Sequence, residues 1–298
     1  MGMSDGGLEV VQVKYGERMV ERSVVFHDYG QYGLPDAQLH MEYNFWVIRD
    51  GQTVVLFDTG YDIPERDWLG EIPVVSTPDG LAMLGIDPAD VSMVITSHFH
   101  YDHIGYLRLF TNARVVSGQA EYDYWFGKWE RDELEGEFTI AEHLEPVRRA
   151  RDEGRLWLVG EKTDVHPGIS VYPVGGHCPG ELLTTVQSRS GPLILAADAA
   201  HFYEQIENEW PFFAFTDLQE MRSALRFINQ LAAETGATVV PATTAGCETG
   251  SPRSRARRPA SPPCSADPDI HDEETDHDVD RGAGSAQEGV HRGARHLG

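Results

Sequence analysis

The stretch Ser97-His98-Phe99-His100-Tyr101-Asp102-His103 gathers three histidines and one aspartate within six residues. It directly follows residues 92–96, a short and mainly apolar run that predicts a β-strand. A tight loop at the end of a strand can turn alternate side chains toward one point. Imidazole and carboxylate groups suit Zn, Mn or Fe(II), and two closely spaced metals need bridging oxygen donors. Surface loops also collect His and Asp by chance, but a full run after a buried strand favours a metal site.

The overall composition limits the class of partner. The chain has 298 residues, of which 41% are hydrophobic, enough for a substantial core in one large domain or two small ones. Its formal net charge of −24 argues against nucleic acid, since phosphate backbones need clustered Lys and Arg. From the sequence we expect neither an export signal nor a membrane-spanning segment. Three scattered cysteines, Cys178, Cys247 and Cys264, do not indicate a disulfide framework, so a cytoplasmic setting is expected.

Up to about Pro241 the sequence predicts strands interspersed with helices. Asp50-Gly51 is a turn signal between two consecutive strands, 44–49 and 53–57. Further apolar runs predict strands at 92–96, 113–117, 169–174, 182–187, 193–197 and 238–240. Helices are predicted at 119–131 and 217–235, and one face of the second carries Leu218, Met221, Leu225, Ile228 and Leu231. This order is typical of an α/β sandwich with helices outside two packed sheets.

The domain boundary follows from a change in composition. No Phe, Tyr or Trp occurs after Phe227, and the end of the chain is rich in Ala, Arg, Pro, Ser, Gly, Asp and His. Few apolar residues remain there to offset the entropy of ordering the chain. We therefore expect one folded domain over residues 1–242 and a disordered tail over residues 243–298.

Three further motifs extend the histidine pattern: Phe57-Asp58-Thr59-Gly60, Gly175-Gly176-His177-Cys178-Pro179-Gly180 and Ala197-Asp198-Ala199. Together with the histidine run, their order and rough spacing from about residue 40 to 241 resemble the metallo-β-lactamase superfamily. The stretch from His177 through Ala214 and the helix after Asp217 most resemble its N-acyl homoserine lactonase group. The resemblance implies an αββα sandwich and a hydrolase that opens a lactone ring, and it gives Cys178 no role.

The same resemblance implies a role for each motif residue. Three histidines would hold a first metal, two residues would hold a second, and one carboxylate would bridge both. The histidines of the first metal would be His98, His100 and His177. The residues of the second metal would be Asp102 and His103, and the bridging carboxylate would be Asp198. A hydroxide between the two ions, with zinc favoured over manganese or iron, would attack the lactone carbonyl. Asp58 would either orient a histidine ligand or only form a turn before Gly60.

The candidates for a catalytic role beside the metals are Asp102, His201 and Tyr203. The lactonase group places a Tyr three residues after the bridging Asp, where it contacts the substrate carbonyl. Here His201 occupies that position and Tyr203 follows two residues later, and either could donate a hydrogen bond. The aromatic residues Trp125 and Phe126 are interpreted as hydrophobic core, as a homodimer contact or as a wall for an acyl chain.

One expected ligand is absent from the sequence. The superfamily supplies a last His, usually in Pro-Gly-His-Asp, directly after the final strand, whereas Ala242 and Thr243 follow Val239-Val240-Pro241 here. Codons for this segment, read one base out of step, can spell Pro-Gly-His-Asp, so a frameshift after Pro241 is one hypothesis.

We expect a weakened second metal site and reduced or absent activity. Two alternatives stay open: another ester, lactone or thioester hydrolase on the same fold, and an impaired metal-binding remnant.

Overall fold

Two β-sheets organise the fold, and the computed structural model describes it over residues 7–62 and 75–243. All of these residues belong to the first of the two units into which the chain divides, Met1–Cys247 and Glu248–Gly298. The predicted tail, residues 243–298, lies outside the described residues except for Thr243. Thr243 is buried, and its backbone N–H donates to the carbonyl of His201 at 2.9 Å. The ordered contacts of the domain therefore reach this residue.

Among the described residues, the first sheet has six strands in the order β1-β2-β3-β4-β5-β6. In chain order they are β1 Glu9–Glu21, β2 Gln38–Arg49, β3 Val54–Phe57, β4 Met93–Ile95, β5 Arg114–Gly118 and β6 Leu156–Val159. β1, β2 and β3 pair antiparallel, whereas β3 to β6 run parallel. Asp50 forms the predicted turn between β2 and β3, since its Oδ1 accepts the backbone N–H groups of Gln52 and Thr53. Because β3, β4 and β5 are parallel, their carboxyl ends meet at one edge of the sheet, where the histidine run begins.

The second sheet, within the same described ranges, has five strands in the order β11-β10-β9-β8-β7. They are β7 Thr163–His166, β8 Ile169–Pro173, β9 Leu182–Ser188, β10 Gly191–Leu195 and β11 Thr238–Val240. β10 and β11 are parallel, and the other neighbours are antiparallel. The strands predicted at 169–174, 182–187 and 238–240 agree with β8, β9 and β11 to within one residue. The loops after β8 and β10 carry the Gly-His-Cys-Pro-Gly and Ala-Asp-Ala motifs.

Seven α-helices occur in the described part of the chain. They are α1 Arg22–Val25, α2 Thr77–Met83, α3 Tyr101–Ile104, α4 Gln119–Glu130, α5 Ala141–Asp152, α6 Tyr203–Asn208 and α7 Leu218–Thr235. α7 begins after Asp217, whose side chain accepts the N–H of Glu220 at 2.8 Å, and ends at Gly236 with a positive φ of 67°. Its buried face contains Met221 and Leu225, as the helical spacing predicts. No helix among the described residues is long and apolar enough to cross a lipid bilayer.

Apolar side chains from both sheets fill the space between them. They include Trp46, Ile48, Phe57 and Ile95 of the first sheet and Val171, Leu182, Val186 and Leu195 of the second. In a second cluster, Val115 of the first sheet packs with Leu144 of α5. In a third, Ile194 of the second sheet packs with Leu225 of α7. Helices therefore cover both outer faces, and the predicted αββα sandwich is confirmed.

Candidate metal centre

The histidine run begins immediately after β4, in a loop that leads into the single helical turn α3. The N–H of His103 donates to the carbonyl of His100 at 3.0 Å, which closes this turn. His98, His100, Asp102 and His103 are all at most 9% exposed. A short buried strand followed by one helical turn thus places four ionisable side chains inside the protein, where each needs a polar partner or a cation.

The first group of candidate ligands consists of His98, His100 and His177. Their ring centroids lie 4.5 to 4.8 Å apart, and His177 Nε2 is 3.0 Å from His100 Nδ1. His177 lies on the loop after β8, and its Nδ1 pairs with the carbonyl of Ala214 at 2.9 Å. Because a carbonyl only accepts, Nδ1 carries the proton and Nε2 keeps its lone pair toward the other two histidines. His98 Nε2 is buried and has no hydrogen-bond partner in the described residues.

The second group forms around His103. Its Nδ1 is 2.8 Å from Asp58 Oδ2, and its Nε2 is 3.6 Å from Asp102 Oδ2. Asp58 is fully buried and also accepts the N–H and the hydroxyl of Ser97, both at 2.7 Å. Its backbone has a φ of 66°, so Asp58 forms a left-handed turn as well as orienting His103. Both interpretations of Asp58 from the sequence therefore hold.

Asp198 connects the two groups. It lies in a 3-10 turn, Ala197–Ala199, that follows β10. Its Oδ2 is 3.4 Å from both His103 Nε2 and His177 Nε2, and 3.9 Å from His98 Nε2. The structure thus brings together all six residues that the sequence proposed as metal ligands. Their binding of a metal stays a prediction.

The two remaining catalytic candidates are placed differently. His201 is 2% exposed, lines the cavity above the cluster, and has its Nε2 at 3.1 Å from Asp198 Oδ2. Tyr203 is the first residue of α6 and is not among the residues that line this cavity. The extended backbone of Phe202 separates the two side chains. A hydrogen bond from Tyr203 to a substrate in this cavity therefore has no support in the fold, whereas His201 is in place for one.

Burial fixes the charge state of the first group. Burial lowers the pKa of His98 and of His100 well below the usual value. It also lowers the pKa of His177 from 6.5 to about 4, although Asp198 acts in the opposite direction. Three neutral imidazoles therefore offer lone pairs at neutral pH, which is the form that binds a metal.

The second group concentrates negative charge. Burial opposes the charge of His103, but Asp198, Asp102 and Asp58 outweigh burial and raise the pKa of His103 well above its usual value. Burial raises the pKa of Asp102. For Asp198 burial is outweighed by His201 and His103, which hold its pKa well below the usual range. The carboxylates of this group and the neutral imidazoles of the first group make a donor set that fits a divalent cation, which would displace the proton that His103 holds without metal. Within the described residues His98 Nε2 has no hydrogen-bond partner, which fits the same conclusion.

A cavity opens to solvent above the cluster. His100, Asp102, His103, His177, Asp198 and His201 form its base. Its walls are mainly aromatic and include Tyr43, Tyr101, Phe138, Phe212 and Phe213. Apolar walls above a polar base are typical of a site for a small organic ligand.

Two buried residues that sequence reasoning missed support the histidine run. The hydroxyl of Tyr15, on β1, donates to the backbone carbonyl of Asp102 at 2.7 Å. Glu121 Oε1 accepts the backbone N–H of Phe99 and the indole N–H of Trp125, both at 2.7 Å. One weak signal for Glu121 was present in the sequence, since a carboxylate on the apolar side of an aromatic-rich helix must find buried partners.

Cys178, for which the sequence predicted no role, lies behind His100. It is fully buried, and its Sγ is 3.3 Å from His100 Nε2. The two ring nitrogens of His100 therefore face different groups, because Nδ1 faces His177 and Nε2 faces the thiol. Burial raises the pKa of Cys178 well above the usual value, so the thiol keeps its proton. Cys178 helps to fix the orientation of the His100 ring.

Comparison with known proteins identifies a family and similar chains. Residues 41–242 match the family model of the metallo-beta-lactamase superfamily. An N-acyl homoserine lactonase (AttM) of Azorhizobium caulinodans is 32% identical over 183 residues, or 56% of this chain and 65% of that protein. An N-acyl homoserine lactonase of a Bacillus species is 29% identical over 138 residues, or 45% of this chain and 49% of that protein. The chain spans about half to two thirds of the length of these relatives.

Solved structures show the same fold. A quorum-quenching N-acyl homoserine lactone lactonase has a TM-score of 0.63 and 23% identity, covering 81% of this chain and 93% of that one. AidC, a dizinc quorum-quenching lactonase in complex with a product, has a TM-score of 0.63 and 20% identity, covering 80% of this chain and 88% of that one. At such identities the likeness shows the fold alone.

Proposed function

Because this chain belongs to the metallo-beta-lactamase superfamily, we propose that it is a metal-dependent hydrolase that opens a lactone ring, with an N-acyl homoserine lactone as the substrate. The observation that carries the proposal is the convergence of His98, His103 and His177 on one oxygen of Asp198, at the base of an open cavity. Relatives named N-acyl homoserine lactonases support the choice of substrate.

The resemblance to the superfamily implies which residues would hold the metals. His98 Nε2, His100 Nδ1 and His177 Nε2 would hold a first ion. His103 Nε2 and Asp102 would hold a second, and Asp198 would contact both. When bound, two divalent ions would supply a water of lowered pKa and polarise the substrate carbonyl. Histidine and carboxylate ligands suit zinc first, with manganese or iron as alternatives.

The rest of the site binds and orients the substrate. The aromatic wall formed by Tyr43, Phe138 and Phe212 would contact the acyl chain and exclude water from it. Asp102 also lines the cavity, which puts its carboxyl group where it can pass a proton to the ring oxygen as the C–O bond breaks, so that this oxygen leaves as a hydroxyl. Tyr15 holds the backbone of Asp102 from below, so the carboxylate keeps its position during such a transfer.

A second candidate function is the hydrolysis of another ester or thioester on the same fold. The observation that favours it is His201, which occupies the position where the lactonase group is expected to have a Tyr. The impaired remnant is the third reading, because Ala242 and Thr243 stand where a last His ligand is expected. A cytoplasmic location and a homodimer stay predictions.

The test is a substrate panel on the full chain. The protein is stripped with a chelator and reloaded with zinc or manganese. Hydrolysis of N-acyl homoserine lactones of several acyl lengths, simple lactones, aryl esters and thioesters is then followed by proton release. We expect metal-dependent lactone opening that falls by about 100-fold or more in His98→Ala and is unchanged in His166→Ala, a histidine far from the cluster.

The panel separates the readings. Turnover of esters or thioesters without any lactone opening would favour the second candidate. Absence of turnover on every substrate while metal is bound would favour the remnant.

A further inference from the structure

The second candidate metal site lacks an imidazole if only Asp102, His103 and Asp198 contribute to it. Thr243, which directly follows Pro241-Ala242, cannot supply one, and its hydroxyl donates to the carbonyl of Glu42 at 3.0 Å. We infer that His201 supplies the missing imidazole and is itself a ligand of the second cation. The inference rests on the proposed metal centre, but it does not depend on which substrate the centre acts on.

Three distances connect His201 to the other donors of the second site. His201 Nε2 is 3.1 Å from Asp198 Oδ2, His103 Nε2 is 3.4 Å from the same oxygen, and His103 Nε2 is 3.6 Å from Asp102 Oδ2. Ligand atoms bound to one tetrahedral zinc at about 2.0–2.2 Å lie about 3.3–3.6 Å from one another. Three of the six distances among the four donors, namely His201 to Asp198, Asp198 to His103 and His103 to Asp102, are therefore close to the edges of a zinc tetrahedron. Two imidazoles and two carboxylates complete four-coordination.

His201 is held rigidly in this position. Its ring stacks on Phe212, with centroids 3.6 Å apart and planes 13° from parallel. Its backbone N–H donates to Gln205 Oε1 at 2.7 Å, and its carbonyl accepts the N–H of Thr243 at 2.9 Å. Within the described residues its Nδ1 has no hydrogen-bond partner, so the polar contact of the ring is the one that Nε2 makes with Asp198. The ring is fixed before any cation binds.

This placement changes the expectation drawn from the sequence. A site without a last His after β11 was expected to bind its second ion weakly. The sequence predicts that residues 244–298, which lie outside the described residues, would have to become ordered for one of their histidines to serve, at an entropic cost. His201 is already ordered and buried, so it adds a ligand without that cost. The second site then has a full set of four donors without the usual last histidine.

The experiment compares metal stoichiometry and affinity in the full chain, with no substrate present. Wild-type, His201→Gln and His201→Asn are stripped and titrated with Zn or Co(II), and binding is followed by calorimetry, elemental analysis and the Co(II) absorption spectrum. His166→Gln is the matched control, since His166 is a histidine of β7 whose Nδ1 is 3.0 Å from the carbonyl of Pro167. Circular dichroism checks that each variant folds.

We expect two ions per chain in wild-type and His166→Gln. In both His201 variants we expect binding of the second ion to weaken by about 100-fold or more, with the first unchanged. Two ions bound with wild-type affinity in His201→Gln or His201→Asn would overturn the inference, even if activity is lost. A single ion in the wild-type chain would overturn it as well. A chain that binds two ions through His201 but opens no lactone would leave this inference standing and reject the proposed function.

Discussion

Asp58→Asn is the substitution with the most specific expected effect, because one buried carboxylate serves three donors. Asp58 accepts the N–H of Ser97 at 2.7 Å, the hydroxyl of Ser97 at 2.7 Å and the Nδ1–H of His103 at 2.8 Å. The amide of Asn can keep the bond from the Ser97 N–H, but its NH₂ group then faces His103 Nδ1. That contact puts two donors together unless the proton of His103 moves to Nε2.

The magnitude follows from the contact that is lost. A hydrogen bond to a charged group contributes about 1.5–3 kcal/mol, so the metal-free variant should lose that much of its free energy of unfolding. The larger effect is on metal binding, because a proton on His103 Nε2 occupies the lone pair that faces Asp198 and Asp102. Loss of such an orienting partner weakens metal binding about 10–100-fold.

The assay has two parts and a matched control. Urea unfolding in the presence of a chelator measures the stability change, and titration of the stripped protein with Zn measures the affinity of the second site. Asp50→Asn makes the same chemical change at an exposed turn, where Asp50 also accepts two backbone N–H groups. That control should lose less than about 1 kcal/mol and bind metal normally. If Asp58→Asn binds its second ion as tightly as wild-type, the orienting role of Asp58 is wrong.

Three further predictions concern the core, the pH dependence and the cavity. Leu225→Ala, in a fully buried position of α7, should cost about 2–5 kcal/mol in urea unfolding, whereas Leu34→Ala, 47% exposed, should cost less than about 0.5 kcal/mol. Burial raises the pKa of Glu121 from 4.5 to about 7. Between these two pKa values the folded chain therefore keeps a proton on Glu121 that the unfolded chain releases. As the pH rises from about 4.5 through 7, the free energy of unfolding of the metal-free wild-type should fall by up to about 3 kcal/mol relative to that of Glu121→Gln. Parallel pH curves for the two proteins would contradict this. Phe213→Ala should raise KM about fivefold for long-chain but not short-chain acyl lactones, with metal content unchanged. Equal KM changes for both lengths would argue against an acyl contact.

The local patterns in the sequence predict much of the fold. α7 was predicted because its apolar residues recur at helical spacing, and in the structure Asp217 and Gly236 cap it. β1 was missed, since Glu9–Glu21 mixes charged and apolar residues and contains a register shift between Lys14 and Gly16. A strand of this kind is held by its partner β2 rather than by its own pattern.

The candidate site was predicted in part for a similar reason. The run from His98 to His103 is visible because its members are close in the chain. His177 and Asp198 were found only through the resemblance, since nothing in their own spacing says that they approach His98. Whether His201 or Tyr203 lines the cavity depends on where α6 begins. The role of Cys178 depends on which ring nitrogen of His100 faces its thiol. Neither can be read from residue order.

The proposed metal centre requires the side chains of His98, His177, Asp198 and their neighbours to converge and bind divalent cations. Anomalous X-ray scattering at the zinc edge, on crystals of the full chain grown with zinc, tests it directly. We expect two peaks, one within bonding distance of His98 Nε2 and His177 Nε2 and one within bonding distance of His103 Nε2, with Asp198 adjoining both. Zinc bound only elsewhere, or these side chains lying apart, would contradict the proposed metal centre.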